Sequence, residues 1–136
     1  MIIQKEIILP SLSRGMYLIT DIIVRELPEL PEHGLLNLFI KHTSAALSIN
    51  ENFDPSVPHD LNSFMNQIVP ENYKHYTHTS EGADDMPAHI KSSLLGVSLT
   101  IPIQSKSMAL GTWQGIYLCE FRNQKQQRRV FVTIFS

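Results

Sequence analysis

Leu35-Leu36-Asn37-Leu38-Phe39-Ile40-Lys41 is the stretch on which the fold turns, because Asn37 is the one polar residue inside an otherwise apolar run. A short run of this kind reads as a β-strand buried on both faces. Downstream the chain enters His42-Thr43-Ser44, and Leu47 and Ile49 suggest a further short strand. Asp54-Pro55 is a helix start, and Leu61, Phe64, Met65 and Ile68 recur at spacings of three and four, placing one apolar face on a helix that Pro70 stops. A polar loop over 70–84 leads to a short helix over 86–94, capped by Asp84 or Asp85 and closed by Gly96. Upstream, strands are expected over 2–9 and 15–19, and a short helix from Thr20 to Leu27 ends at Pro28. The last third reads as strands over 97–103, 109–121 and 127–135, with a turn over 122–126. Strands at both ends with helices between them predict an α+β domain over residues 1–136 with a largely antiparallel sheet.

Composition narrows the function classes. An apolar fraction of 43% suffices for a core without a metal or disulfide staple. A formal net charge of −2 offers no basic field for nucleic acid or an anionic membrane. The charged fraction, 18%, is low and compatible with self-association. The single cysteine, Cys119, lies in an apolar run and reads as a buried, inert thiol. No signal peptide or membrane span is expected, and cytoplasmic residence follows as the default. Residues 124–129 form a locally basic cluster, either a solvated hairpin tip or an anion contact.

Polar chemistry concentrates in the middle of the chain. Five of the six histidines are His42, His59, His75, His78 and His89, and Glu51, Asp54, Asp60, Glu81, Asp84 and Asp85 fall in the same region. Imidazole with carboxylate can hold a divalent cation or move protons; Zn suits the histidines and Mg the carboxylates. His78-x2-Glu81-x7-His89 matches no standard metal spacing. His42 ends a strand, a rigid platform for a site, and Asp85 and His89 share one helix face. Asp54 reads equally as a cap, and His75 as a solvated loop residue. Ser44 beside His42 is a candidate hydroxyl nucleophile, although no G-x-S-x-G surrounds it. The absence of G-x-x-x-x-G-K-[ST] and G-x-G-x-x-G disfavours ATP and dinucleotide chemistry. Trp113 either lines a pocket or packs in the sheet.

Four ordered blocks carry a resemblance that covers nearly the whole chain: residues 42–51 (HTSAALSINE), 81–89 (EGADDMPAH), 95–103 (LGVSLTIPI) and 110–120 (LGTWQGIYLCE). Together they resemble the YjbQ (UPF0047) family. The resemblance implies a curled, barrel-like, largely antiparallel sheet with a few short helices, assembled as a homotrimer. It also implies a secondary thiamine-phosphate synthase activity, which joins a pyrimidine pyrophosphate to a thiazole phosphate and releases pyrophosphate.

The polar motif residues then become site candidates. His42, Ser44, Glu51, Asp60, Glu81 and Glu120 are candidate catalytic groups, Trp113 and Gln114 candidate cofactor contacts, and His42, His78 and His89 candidate ligands of a divalent metal. Such a transferase needs its leaving pyrophosphate neutralised and a flat surface for the pyrimidine, which Trp113 could supply. Few basic residues lie in the motifs, and this favours two competitors: a metal-dependent hydrolase with Glu81 as base, and a non-enzymatic trimer that binds a metal or small anion. Either enzyme reading takes a small-molecule substrate, phosphorylated for the transferase. One position departs from the family: Lys106 stands where its turn usually has glycine, and such turns often need positive φ, costly for lysine.

Overall fold

The computed structural model describes residues 1–136. Eight strands and three helices follow in the order β1 (Ile2–Ile8), β2 (Gly15–Leu18), α1 (Thr20–Glu26), β3 (His33–Ile40), β4 (Ala45–Glu51), α2 (Ser56–Ile68), α3 (Asp85–Leu95), β5 (Ser98–Gln104), β6 (Ser107–Met108), β7 (Gln114–Glu120) and β8 (Arg129–Phe135). The strands form two wholly antiparallel sheets, ordered β1-β8-β3-β5-β6 and β2-β7-β4, curled into a half-barrel.

The alternation of β3 is sharper than its composition suggests. Leu36, Leu38 and Ile40 are buried, while Leu35 and Phe39 face outward at 47% and 44% exposure. The expectation of burial on both faces fails because this five-stranded sheet packs its core on one side only, leaving the other face to solvent. The strand buried on both faces is β7. Ile116 and Leu118 join the main core with Leu36, Leu38, Ile101, Val132 and Ile134. Tyr117 and Cys119, on the opposite face, pack with Ala46 of β4, Ala88 of α3 and Phe121. The three-stranded sheet is therefore a middle layer, with the five-stranded sheet on one side and α3 on the other.

Three further expectations are corrected. The apolar stripe of α2 splits: Met65 is buried and Leu61 half-buried, but Phe64 and Ile68 are 60% and 50% exposed. The helix lies against β2 and β4, the two edge strands of the small sheet, and that contact leaves half of its stripe uncovered. The strand expected over 109–121 is broken before Gln114 by a turn, in which Gly111 N–H donates to Gln114 Oε1 (2.7 Å) and Gln114 N–H to Gly111 O (3.0 Å). Trp113 sits in that turn, outside the sheet, tilted against Phe53 with ring centroids 5.7 Å apart. Finally, the basic segment after β7 is no solvated tip throughout, since Arg128 is buried. The cap reading of Asp54 holds: its Oδ1 accepts the Ser56 N–H (2.9 Å) at the entrance to α2, and this holds its carboxyl below the usual range.

Candidate metal centre

Helix α3 begins at Asp85, and one turn later His89 falls on the same face. The loop before the helix returns His78 to that face. Asp85 Oδ2 lies 2.7 Å from His78 Nε2, and Asp85 Oδ1 lies 3.3 Å from His89 Nε2. One ligand atom from each of the three residues lies within 4.8 Å of the others. Asp85 is 1% exposed, whereas the His78 side chain is 47% exposed, so the group opens to solvent on the His78 side.

The supports of this group come from two other segments. His89 Nδ1–H donates to the Thr43 carbonyl (2.8 Å), just before β4. Arg122, just after β7, donates from Nη1 to Asp85 Oδ1 (2.7 Å), from Nε to Asp84 Oδ2 (2.9 Å) and from Nη2 to Glu81 O (3.0 Å). Burial works to raise the Asp84 carboxyl, but the Asn123 N–H and the Arg122 hydrogen bond and charge outweigh it, and Asp84 sits below its usual range. The hydrogen bond that Arg122 donates to Asp84 and the charges of the surrounding carboxylates push Arg122 upward in turn, keeping it charged.

The hydrogen bond to Thr43 decides the chemistry of His89. A carbonyl accepts only, so Nδ1 carries the proton, and in a neutral ring Nε2 presents a lone pair. That lone pair faces a carboxylate oxygen 3.3 Å away. Two acceptors at this separation repel unless something positive joins them: a cation between them, or a second proton on the ring. A histidine that donates its other nitrogen to a backbone carbonyl is the usual arrangement of a metal-ligating imidazole.

The other candidates divide between two ends of the small sheet. His42 and His89 line one open depression with Thr43, Ser92, Ser93 and Gly96. His42 Nε2 accepts the Arg129 N–H (2.8 Å), and burial with the Arg128 charge, partly opposed by Glu120, holds the imidazole below its usual value. Ser44 and Glu120 lie beside it but bind Arg128: the guanidinium donates to both Glu120 oxygens (2.7 and 2.6 Å) and to Ser44 Oγ (3.0 Å). Glu81 stands at the rim, its carboxylate 3.9 Å from Arg122 Nη1. Glu51, Trp113 and Gln114 lie at the far end. Ala45 pairs with Glu120 and Glu51 with Gln114, which separates the two ends by six residues, about 20 Å of strand. Asp60 is exposed on α2 beside His59. Sequence reasoning placed Asp85 on the face of His89 without making it a ligand, and it gave no role to Arg122 or the Thr43 carbonyl. The Asp85-x3-His89 spacing was the available signal; the other two are 33 or more residues away in sequence and left none.

The family profile described as "UPF0047 protein YjbQ-like" matches residues 5–136. The UPF0047 protein YjbQ of Escherichia coli O157:H7 is 48% identical over 133 residues, covering 96% of each chain. Its namesake in Salmonella typhimurium is 49% identical over the same length and coverage. Among solved structures, an uncharacterized conserved protein of the YjbQ/UPF0047 family from Clostridium acetobutylicum superposes with a TM-score of 0.81 at 33% identity, covering 96% of this chain and 99% of that one.

Proposed function

The chain belongs to the UPF0047 YjbQ-like family, and from its site we propose that it is a small-molecule enzyme whose His78–Asp85–His89 centre holds a divalent cation. The observation that carries this is the His89 Nε2 to Asp85 Oδ1 contact, which lacks a hydrogen when the ring is neutral. Two imidazoles and one carboxylate suit zinc better than magnesium, which prefers oxygen ligands. Three protein ligands with solvent at His78 leave a coordination position open, as catalytic zinc sites do and closed structural sites do not. A cation there would acidify a water or neutralise the charge on a departing phosphate oxygen. Glu81, at the same rim, is the base this reading assigns, and His42 lines the adjoining depression as a neutral polar group.

The secondary thiamine-phosphate synthase reaction is the specific reaction we place second. The proposed cation answers its need to neutralise pyrophosphate. Trp113 and Gln114, however, lie about 20 Å of strand from His89's end of the sheet. They can serve the same substrate only if a second chain brings its far end to this centre. A homotrimer would supply such a chain, and Ile2, Leu35, Phe39 and Phe135 on the outer face of the large sheet are apolar side chains it could cover. We further take residues 1–136 as one domain, resident in the cytoplasm and without a nucleic-acid partner. The net charge of −2 supports the last point, and no helix is long and apolar enough to cross a membrane.

Elemental analysis of the native protein, alongside His89→Ala and His78→Ala, tests the reading. About one zinc per chain, lost in both folded variants, is the expected result. No metal in the native protein, with a ring-proton signal on both nitrogens of His89 by NMR, would replace the cation with an Asp85–His89 acid–base pair. A sedimentation mass near one chain would remove the trimer.

A further inference from the structure

The residue that organises this centre contributes no ligand atom to it. Arg122 spends its three nitrogens on the site's supports: Nε on Asp84 Oδ2, Nη1 on Asp85 Oδ1 and Nη2 on the Glu81 carbonyl. Its position is itself imposed. The backbone N–H groups of Phe121 and Arg122 donate to Glu120 Oε2 (2.9 and 3.3 Å). Glu120 is clamped by the two hydrogen bonds from Arg128, and the side chains of this pair are 0% and 2% exposed. Arg128 Nη2 also donates to the Ser44 carbonyl (3.2 Å), the residue after Thr43, whose own carbonyl orients His89. One buried ion pair therefore anchors both arms of the centre: the backbone that aims His89, and the guanidinium that holds Asp85.

We infer that Arg122 is the positioning residue of the His78–Asp85–His89 centre, and that the Glu120–Arg128 pair is the frame that holds it. The inference rests on the metal reading above. A carboxylate as buried as Asp85 needs a fixed partner of opposite charge within hydrogen-bond reach. Arg122 provides that charge and, by occupying Oδ1, turns Oδ2 towards His78. A planar guanidinium reaches two successive carboxylates at once; a lysine ammonium is a point charge on a flexible stem and cannot span both. Glu120, a catalytic candidate from its motif, acts in this arrangement through Arg122 and touches no substrate.

The test uses the full chain, stripped of metal by a chelator and titrated with Co(II), in native form and as Arg122→Lys, with urea unfolding run beside each. Arg122→Lys is expected to stay folded, to bind Co(II) about 10- to 100-fold more weakly, and to show an altered visible d–d spectrum. Arg122→Ala in millimolar methylguanidinium should recover part of the native spectrum, which a generally weakened fold would not. Native affinity and an unchanged spectrum in Arg122→Lys would overturn the inference and leave the metal reading standing. No Co(II) binding by the native protein would remove both. If Arg122→Lys does not fold, Asp84→Asn releases only the second anchor of the guanidinium. A several-fold weaker Co(II) affinity then supports the inference, and native affinity overturns it.

Discussion

Replacing Lys106 by glycine should make this protein more stable, although it removes a side chain and an ion pair. β5 and β6 form a hairpin in which Gln104 pairs with Ser107, so Ser105 and Lys106 are its two-residue loop. Their φ angles are 51° and 62°. Positive φ at both central positions is the geometry that favours Asn-Gly, because a Cβ there crowds the following carbonyl. Holding lysine in this region costs about 1–1.5 kcal/mol. Against this, glycine adds backbone freedom to the unfolded chain worth about 0.5 kcal/mol. The ion pair between Lys106 Nζ and Glu29 Oε1 (3.4 Å) is largely exposed on both sides, and its loss costs about 0.2 kcal/mol. The net expectation for Lys106→Gly is a gain of about 0.5 kcal/mol, or about 2 °C in Tm for a domain of this size. Urea unfolding at fixed pH measures it, with Lys106→Ala as the control. Alanine removes the same charge but keeps the Cβ, so it should show no gain. A Lys106→Ala variant as stable as Lys106→Gly would assign the effect to charge and refute the argument from strain. A Lys106→Gly variant less stable than the native protein would refute it as well.

Two further outcomes follow from buried titrating groups. Burial pushes the Cys119 thiol up to about 12, so the native protein should be inert to a thiol-specific reagent at pH 8 and react fully once unfolded in urea; rapid native-state reaction would show that the layer under α3 opens. Burial, reinforced by the Arg14 charge, lowers the Lys91 ammonium from 10.5 to about 8, with Glu71 opposing. The unfolded chain then binds the extra proton between about pH 8 and 10.5, so native stability rises with pH across that window and the penalty is fully present below it. Lys91→Met should therefore be more stable than the native protein at pH 7, by at most about 3 kcal/mol, and most of the gap should be lost by pH 10. A gap constant from pH 7 to 10 in urea unfolding would refute the buried-ammonium account.

Local periodicity was legible in the chain. The strands around Leu36 and Val132, the helix opened by Asp54-Pro55, and the Asp85–His89 face all appear where spacing puts them, because each depends on neighbours within one turn or one pleat. The four family blocks likewise identified the fold class, and one of them holds Asp85 and His89. What spacing left open was which apolar run lies between two layers. β3 and β7 are similarly apolar, yet only β7 is covered on both sides, by packing against elements remote in sequence. Sequence also left open which polar residues meet. Glu51 and Glu120 belong to similar motifs but stand at opposite ends of the paired strands β4 and β7, since antiparallel register carries one chain's end to the other's beginning. Asp85 and Arg122 are 37 residues apart and make the bond that holds the centre. Side-chain direction within an element is set by local backbone geometry, which the sequence encodes residue by residue. The meeting of Asp85 with Arg122, and of His89 with the Thr43 carbonyl, is set by strand register and layer packing, which exist only once the whole chain has folded.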